Sequence, residues 1–344
     1  MIYHDETQLQ RICINFVGNQ TQQESLVTSE TETFLDDEMK NLLKDYFLKS
    51  FKPEILFEFF HQNSLDQNEV FTLVSEIFEQ PELLENQSKK LAKLLFDVSI
   101  NPRTKGGEFY VCYFTDCVLK GERYDAVGLF KSENKDTFMQ VSPSDASFKL
   151  ETAKGINLNK VDKGCIIFNS KKEEGYIISV IDGTSRAETS YWMDDFLQLK
   201  QKQDDYFDTQ ETLTVYKDFI TKQLPQEFEI SKADQAEFLN NSINFFKEKK
   251  QFDFEEFSKE VLKDNEVIES FSNYKTDYEQ EMQVSISEDF AINNAAVKKQ
   301  NSSYKSVIKL DKNFHIYVHG DRKLIQQGQD ENGKFYMLYF EEEK

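Results

Sequence analysis

The run Glu108-Phe109-Tyr110-Val111-Cys112-Tyr113-Phe114-Thr115-Asp116-Cys117-Val118-Leu119, followed by Lys120-Gly121, decides the fold class. It is aromatic and β-branched and closes on a turn dipeptide, which is the pattern of a strand entering a tight hairpin. Further short runs of the same kind follow: Asp125 to Lys131, Thr137 to Val141, Ser147 to Leu150, Gly164 to Asn169 and Tyr176 to Ile181. Links this short join antiparallel neighbours, because a parallel pair needs a long crossover. The meander therefore excludes a doubly wound nucleotide-binding fold.

Working outward, Leu9 to Val17 reads as a further strand. Phe34 to Leu48 carries apolar residues at helical spacing (Leu35, Met39, Leu42, Leu43, Tyr46, Phe47). Asp66 with Glu69 resembles a capping box opening a helix over Val70 to Glu79, and Ser88 is expected to open another over Leu91 to Val98, with Pro81 between the two. Tyr191 to Leu199 begins a second helical region running to about Met282, with apolar stripes Leu239/Ile243/Phe246, Phe254/Phe257/Val261 and Ile268/Phe271/Tyr274/Tyr278. The end reverts to strands over Ser306 to Leu310, Asn313 to Val318, Lys323 to Gln327 and Lys334 to Phe340, and Asn332-Gly333 supplies a hairpin signal. The expected architecture is α+β. Helices pack on an antiparallel β-meander in a domain of residues 1–187, and residues 188–344 form a helical region with a C-terminal β-element.

Length and composition set the class. The 344 residues include 31 Phe and 15 Tyr, enough bulky apolar surface for a large core. The N-terminus has no basic and apolar leader pattern, and no stretch approaches ~18 apolar residues, so the chain reads as neither exported nor membrane-spanning. Four cysteines (Cys13, Cys112, Cys117, Cys165) form no disulfide framework and fit a reducing cytoplasm.

Catalytic signatures are missing. There is no Cys-x-x-Cys, His-Glu-x-x-His, EF-hand loop, nucleophile elbow, Walker loop or Gly-x-Gly-x-x-Gly. His315 and His319 fall on an alternating strand, which separates them by roughly 13 Å. Cys112 and Cys117, an odd number of positions apart on one strand, are expected on opposite faces. A metal-dependent nuclease could be drawn with Asp116 or Asp125 and the element Glu133-Asn134-Lys135, although Glu-x-Lys recurs at Glu38-Met39-Lys40 and Glu248-Lys249-Lys250 in helical settings. No metal site, no cofactor and no enzymatic activity are expected.

The formal net charge of −21 opposes a polyanion at long range, so any nucleic-acid contact needs a local basic patch. Lys89 to Lys135, Lys149 to Lys172 and Lys298 to Lys323 are locally positive, whereas Glu188 to Met282 is acidic. A helix-turn-helix reading of the bundle fails because the candidate recognition helix, Phe254 to Ser270, carries Asp or Glu at 255, 256, 260, 264, 266 and 269. The candidate phosphate contacts are Lys131, Lys135, Lys160 and Lys163, expected in exposed loops or at strand ends, together with Lys309, Lys312 and Arg322.

Three stretches carry a family resemblance. Gly128-Leu129-Phe130-Lys131-Ser132-Glu133-Asn134-Lys135, the run from Gly155-Ile156-Asn157 through Lys160-Val161-Asp162-Lys163-Gly164-Cys165 to Asn169, and Tyr191-Trp192-Met193-Asp194-Asp195-Phe196-Leu197 are similar to the bacterial nucleoid-associated family called NdpA or YejK. The likeness extends to Lys309-Leu310-Asp311-Lys312-Asn313-Phe314, with a composition closest to Bacteroidetes-type members. It implies nucleoid association in the cytoplasm and DNA binding without catalysis, and it transfers no residue-level site. The leading expectation is contact with double-stranded DNA at low sequence specificity. The alternative is a module that recruits or modulates DNA-processing proteins through the acidic helical face; nuclease activity ranks third. Homo-oligomerisation is left open.

Overall fold

A computed structural model describes residues 2–3, 6–51, 54–145, 147–182, 191–304, 307–318 and 322–342. The chain divides into two compact units, residues 1–202 and 203–344. The turn of helix Tyr191–Leu197 and the strand Leu199–Gln201 belong to the first unit, so the units part beyond the position at which the sequence pattern changes.

The first unit is α+β and its sheet is antiparallel throughout. Its strands are β1 (Ile2–Tyr3), β2 (Gln8–Val17), β3 (Leu26–Val27), β4 (Phe57–Phe59), β5 (Gly107–Leu119), β6 (Glu122–Ser132), β9 (Lys163–Phe168), β10 (Ile177–Asp182) and β11 (Leu199–Gln201), in the order β11-β4-β10-β9-β6-β5-β2-β3 with β1 also on β5. Between β6 and β9 the chain leaves the sheet as a separate hairpin, β7 (Lys135–Ser144) and β8 (Ser147–Ile156).

Strand β5 reads as a continuous apolar run because both faces of the sheet are covered. On one face Phe109, Val111 and Tyr113 join Val127, Leu129, Cys165 and Ile167 beneath α2 (Glu69–Glu79), α3 (Leu84–Val98) and Trp192. On the other, Tyr110, Cys112, Phe114 and Phe130 meet α1 (Asp37–Leu48), where Phe47 stacks on Phe130 at 4.2 Å.

Three local expectations are corrected. Asn68, not Asp66, caps α2, accepting from the Phe71 amide at 2.9 Å. Ser88 lies inside α3, buried, and accepts from Asn15 Nδ2 at 3.1 Å instead of opening the helix. Cys112 and Cys117 share one face, because the register shifts between Phe114 and Cys117 where Asp116 adopts φ +58°. Such a bulge adds one residue to the alternation and reverses the side of everything after it. Both thiols are buried and free.

The second unit is helical, with three two-stranded antiparallel pairs among the described residues. Helices α4 (Asp205–Asp218), α5 (Lys232–Glu248), α6 (Asn265–Met282) and α7 (Asn294–Asn301) enclose an aromatic core of Tyr216, Phe219, Phe246, Phe252, Phe257 and Phe271. A capping box at Ser231 and Asp234 starts α5. The stretch weighed and rejected above as a recognition helix, 254–270, is also broken at Lys263 (φ +66°). Strand pairs β12 (Gln251–Asp253) with β13 (Asp289–Ala291), β14 (Val307–Leu310) with β15 (Phe314–Tyr317), and β16 (Ile325–Asp330) with β17 (Gly333–Leu338) complete the unit. Ile308, Val318 and Ile325 seat the terminal hairpins on Ala233 and Ala236 of α5.

Candidate nucleic-acid interface

Two of the four lysines in the two longest motif runs, Lys131 and Lys163, do not reach solvent. Lys131 is the penultimate residue of β6 and Lys163 opens β9, directly opposite each other in register, and each is 1% exposed. Lys131 donates to the Lys105 carbonyl (2.8 Å) and to Glu133 (3.1 Å); Lys163 binds both oxygens of Asp182 (3.0 and 3.1 Å). Both ammonium groups lie near the Tyr191 ring, at 5.4 and 5.0 Å from its centroid, and the Tyr191 hydroxyl donates to Glu133. Burial pulls the Lys131 ammonium below its usual value and pushes the Tyr191 phenol far up, with Glu133 adding to the second effect.

Asp162 completes this clamp. Its Oδ2 accepts from the amides of Glu133 (2.8 Å) and Asn134 (2.9 Å), and its Oδ1 from Asn134 Nδ2 (2.9 Å). The motif runs are thus conspicuous for a structural reason: a buried lysine needs a matched carboxylate, and removing either leaves an uncompensated charge. The expectation of exposed loop lysines is corrected at 131 and 163, and no phosphate can touch them without breaking these pairs.

Lys135 is exposed at the base of β7 but pairs with Glu108. Lys160 is exposed in the loop before β9 and has no side-chain partner among the described residues. The described surface of the first unit is laced with ion pairs such as Arg11–Glu32, Lys172–Glu79 and Lys202–Glu58.

The second unit holds a different arrangement. Two clefts open along α5, one of about 350 Å³ lined by Lys217, Lys232 and Lys309 with Gln235, Leu239 and Val307, and one of about 580 Å³ lined by Lys247, Lys298, Asn240, Asn244 and Tyr317. Among the described residues no carboxylate lines either cleft. Of these lysines only Lys232 has a described side-chain partner, Gln235 at 2.9 Å. Lys309 stands opposite His315 on the outward face of β14–β15, and Lys312 is exposed in the turn between the strands. Arg322 opens the short turn Arg322–Leu324, and its side chain lies outside the described residues, as does His319.

Sequence reading nominated Lys309 and Lys312 but missed Lys217, Lys232, Lys247 and Lys298. The signal was present in α5: Lys232, Gln235, Ala236, Leu239, Asn240, Ile243, Asn244 and Lys247 recur at helical spacing with no acid among them, while Asp234 falls on another face and Glu237 and Glu248 border the stripe beside Asn244. Averaging charge over the whole acidic region hid that stripe. At a rise of ~1.5 Å per residue, Lys232 and Lys247 are separated by about 22 Å along the helix.

A third cleft, about 320 Å³, has the opposite character. Glu227, Glu266, Glu269 and Asp277 line it with Tyr274 and Phe228, and no lysine or arginine does so among the described residues. No group of three or more His, Cys, Asp or Glu arranged to hold a metal ion occurs among the described residues, and no described helix is long and apolar enough to cross a membrane.

The family model described as nucleoid-associated protein YejK matches residues 15–334. A search of curated proteins finds no match to the chain.

Proposed function

The chain belongs to the nucleoid-associated protein YejK family, and from that premise we propose that it is a non-catalytic protein of the cytoplasmic nucleoid that holds duplex DNA by its phosphates. The observation that carries this reading is the lysine-lined, carboxylate-free pair of clefts along α5 in a chain of net charge −21. A local concentration of unpaired ammonium groups is what an acidic body needs in order to meet a polyanion. Lys217, Lys232, Lys247, Lys298 and Lys309 are the principal contacts, with Lys312 and Arg322 as further candidates and Lys135 and Lys160 as secondary contacts of the first unit.

Spacing supports the assignment. With a phosphate every ~3.4 Å of rise on one strand, a 22 Å stripe accompanies on the order of six phosphate steps. Lysines on a helix face and a short ribbon make point-charge contacts and carry no base-reading pattern, so sequence preference is low. The test is the salt dependence of binding to unrelated duplexes: four to five phosphate contacts give a slope of log affinity against log salt of about −4, equal across sequences.

A second reading rests on the cleft of Glu227, Glu266, Glu269 and Asp277, which complements a basic protein surface. It makes the protein a recruiter or modulator of DNA-processing proteins. Charge reversal at Glu266 and Glu269 separates the two: it leaves DNA binding intact or improved and abolishes capture of a basic partner.

A further inference from the structure

The larger lysine-lined cleft of the second unit, about 580 Å³, holds more than a phosphate contact uses. Three elements converge on it. From α5 come Ile243, Asn244 and Lys247, from the last turn of α7 come Lys298 and Asn301, and from the end of β15 comes Tyr317. Ile243, Tyr304 and Val318 are buried and make an apolar floor. The Tyr304 ring is fixed there by its hydroxyl, which donates to the Leu213 carbonyl. Asn240 Nδ2 donates to the Val318 carbonyl at 3.2 Å, which ties the strand end to α5 and holds Tyr317, the preceding residue, at the cleft wall.

Duplex phosphates engage Lys247 and Lys298 and leave the other groups without a role. The Tyr317 ring is 60% exposed, so its face is open for stacking. The side-chain amides of Asn244 and Asn301 are exposed and have no hydrogen-bond partner among the described residues, so each can offer a donor and an acceptor together. The neighbouring cleft of about 350 Å³ also has lysines and an apolar wall, but no aromatic ring lines it among the described residues. An open ring, two amides and two ammonium groups around an apolar floor suit a base and its phosphates, and the volume is that of a small-molecule site.

We propose that this cleft binds a free adenine nucleotide, a nucleoside diphosphate or triphosphate, and that the nucleotide competes with DNA for Lys247 and Lys298. The competition rests on the phosphate-binding reading above; the nucleotide site itself does not. The base lies against Tyr317 over the floor of Ile243 and Val318, with its edge on Asn244 and Asn301, because an amide matches the adjacent donor and acceptor of adenine. Among the described residues no arginine lines the cleft to favour the paired acceptors of guanine. Lys247 and Lys298 take the phosphates as point charges. A free nucleotide suits this arrangement better than a residue of a duplex, whose base edge and faces are already engaged by its neighbours.

Equilibrium dialysis of the whole protein against labelled ADP tests the site with no DNA present. Adenosine and inorganic pyrophosphate should each bind at least ~10-fold more weakly than ADP, because each keeps only part of the contacts. GDP should also bind more weakly. Tyr317→Ala should weaken ADP on the order of 10-fold, and Tyr317→Phe should retain it. Lys247→Gln with Lys298→Gln should reduce ADP on the order of 10-fold and leave adenosine unchanged. Tyr339→Ala, at an exposed tyrosine beyond β17, should change neither. All these side chains are exposed, so the variants should fold, as circular dichroism would confirm. With ADP saturating, the slope of log duplex affinity against log salt should flatten by about 2, the share of two phosphate contacts. No ADP bound at about 1 mM, or binding indifferent to Tyr317, overturns the nucleotide site. Displacement of ADP by single-stranded oligo-dA at equal nucleotide concentration, dependent on Tyr317, would assign the ring to a strand and overturn the free-nucleotide reading. ADP binding with an unchanged duplex salt slope overturns the competition. A parent that binds ADP as expected but no duplex supports the nucleotide site and counts against the phosphate reading.

Discussion

Lys131 and Tyr191 share one carboxylate: the ammonium and the phenol both donate to Glu133 Oε1, the ammonium at 3.1 Å, across sixty positions of sequence. This contact ties the end of β6 to the turn that carries Trp192, and it locates Lys131 in the core instead of on a binding surface.

Breaking that clamp should cost stability and leave binding alone. Lys131→Ala strands Glu133, and Lys163→Ala strands Asp182, each by about 3–5 kcal/mol. Chemical denaturation should show the loss, and pairing Lys163→Met with Asp182→Asn should recover much of it. Duplex affinity at a temperature where the variants remain folded should match the parent's.

Trp192 is the single tryptophan, fully buried against Phe109 and Phe196 in the first unit. Its fluorescence should report unfolding of residues 1–202, whereas far-ultraviolet circular dichroism reports both units. Non-coincident denaturation curves are expected, since two cores need not melt together. A single transition by both probes would show that the units unfold cooperatively.

The thiols should be silent in the folded protein. Burial pushes Cys13 to about 11 and Cys117 to about 12, so neither presents a thiolate at pH 8. A disulfide reagent should label no cysteine in the native state and four after denaturation. The linked pH effect has a definite sign: above pH ~9 the unfolded chain releases thiol protons that the folded chain retains, so stability falls as pH rises from ~9 towards 11.

Magnesium or manganese should not elicit cleavage of DNA. The acid of the Glu133-Asn134-Lys135 element is occupied by Tyr191 and Lys131, and Asp125 accepts from the Tyr113 hydroxyl at 2.7 Å. Neither carboxylate is presented to a metal ion as a nuclease centre requires. Supercoiled plasmid should stay intact over hours; nicking abolished by Glu133→Gln would contradict this.

What could be read from the sequence followed local chemistry. The strand run Glu108 to Leu119, the Lys120-Gly121 turn and the aromatic stripes of the second unit declared themselves through period and turn residues, and the structure has them. The bulge at Asp116 gave no such signal, because a left-handed Asp looks like any other strand residue, and it misplaced Cys117. Lys131 and Lys163 misled for the same reason: a lysine beside a charged neighbour reads as solvated, and only the packing of Tyr191 against β6 and β9 reveals it as buried. The lysine stripe of α5 was legible by helical period but was masked by the acidity of its surroundings.

The central claim is that phosphate is held by the lysines along α5 and β14. The most direct measurement is an anisotropy titration of one labelled duplex at low salt with the parent and with Lys232→Glu, Lys247→Glu, Lys298→Glu and Lys309→Glu combined, folding being confirmed by circular dichroism. These four side chains are exposed, so folding should survive the exchange. The account predicts affinity lower by on the order of 100-fold and a flattened salt dependence. Parent-like binding by the folded variant would contradict it.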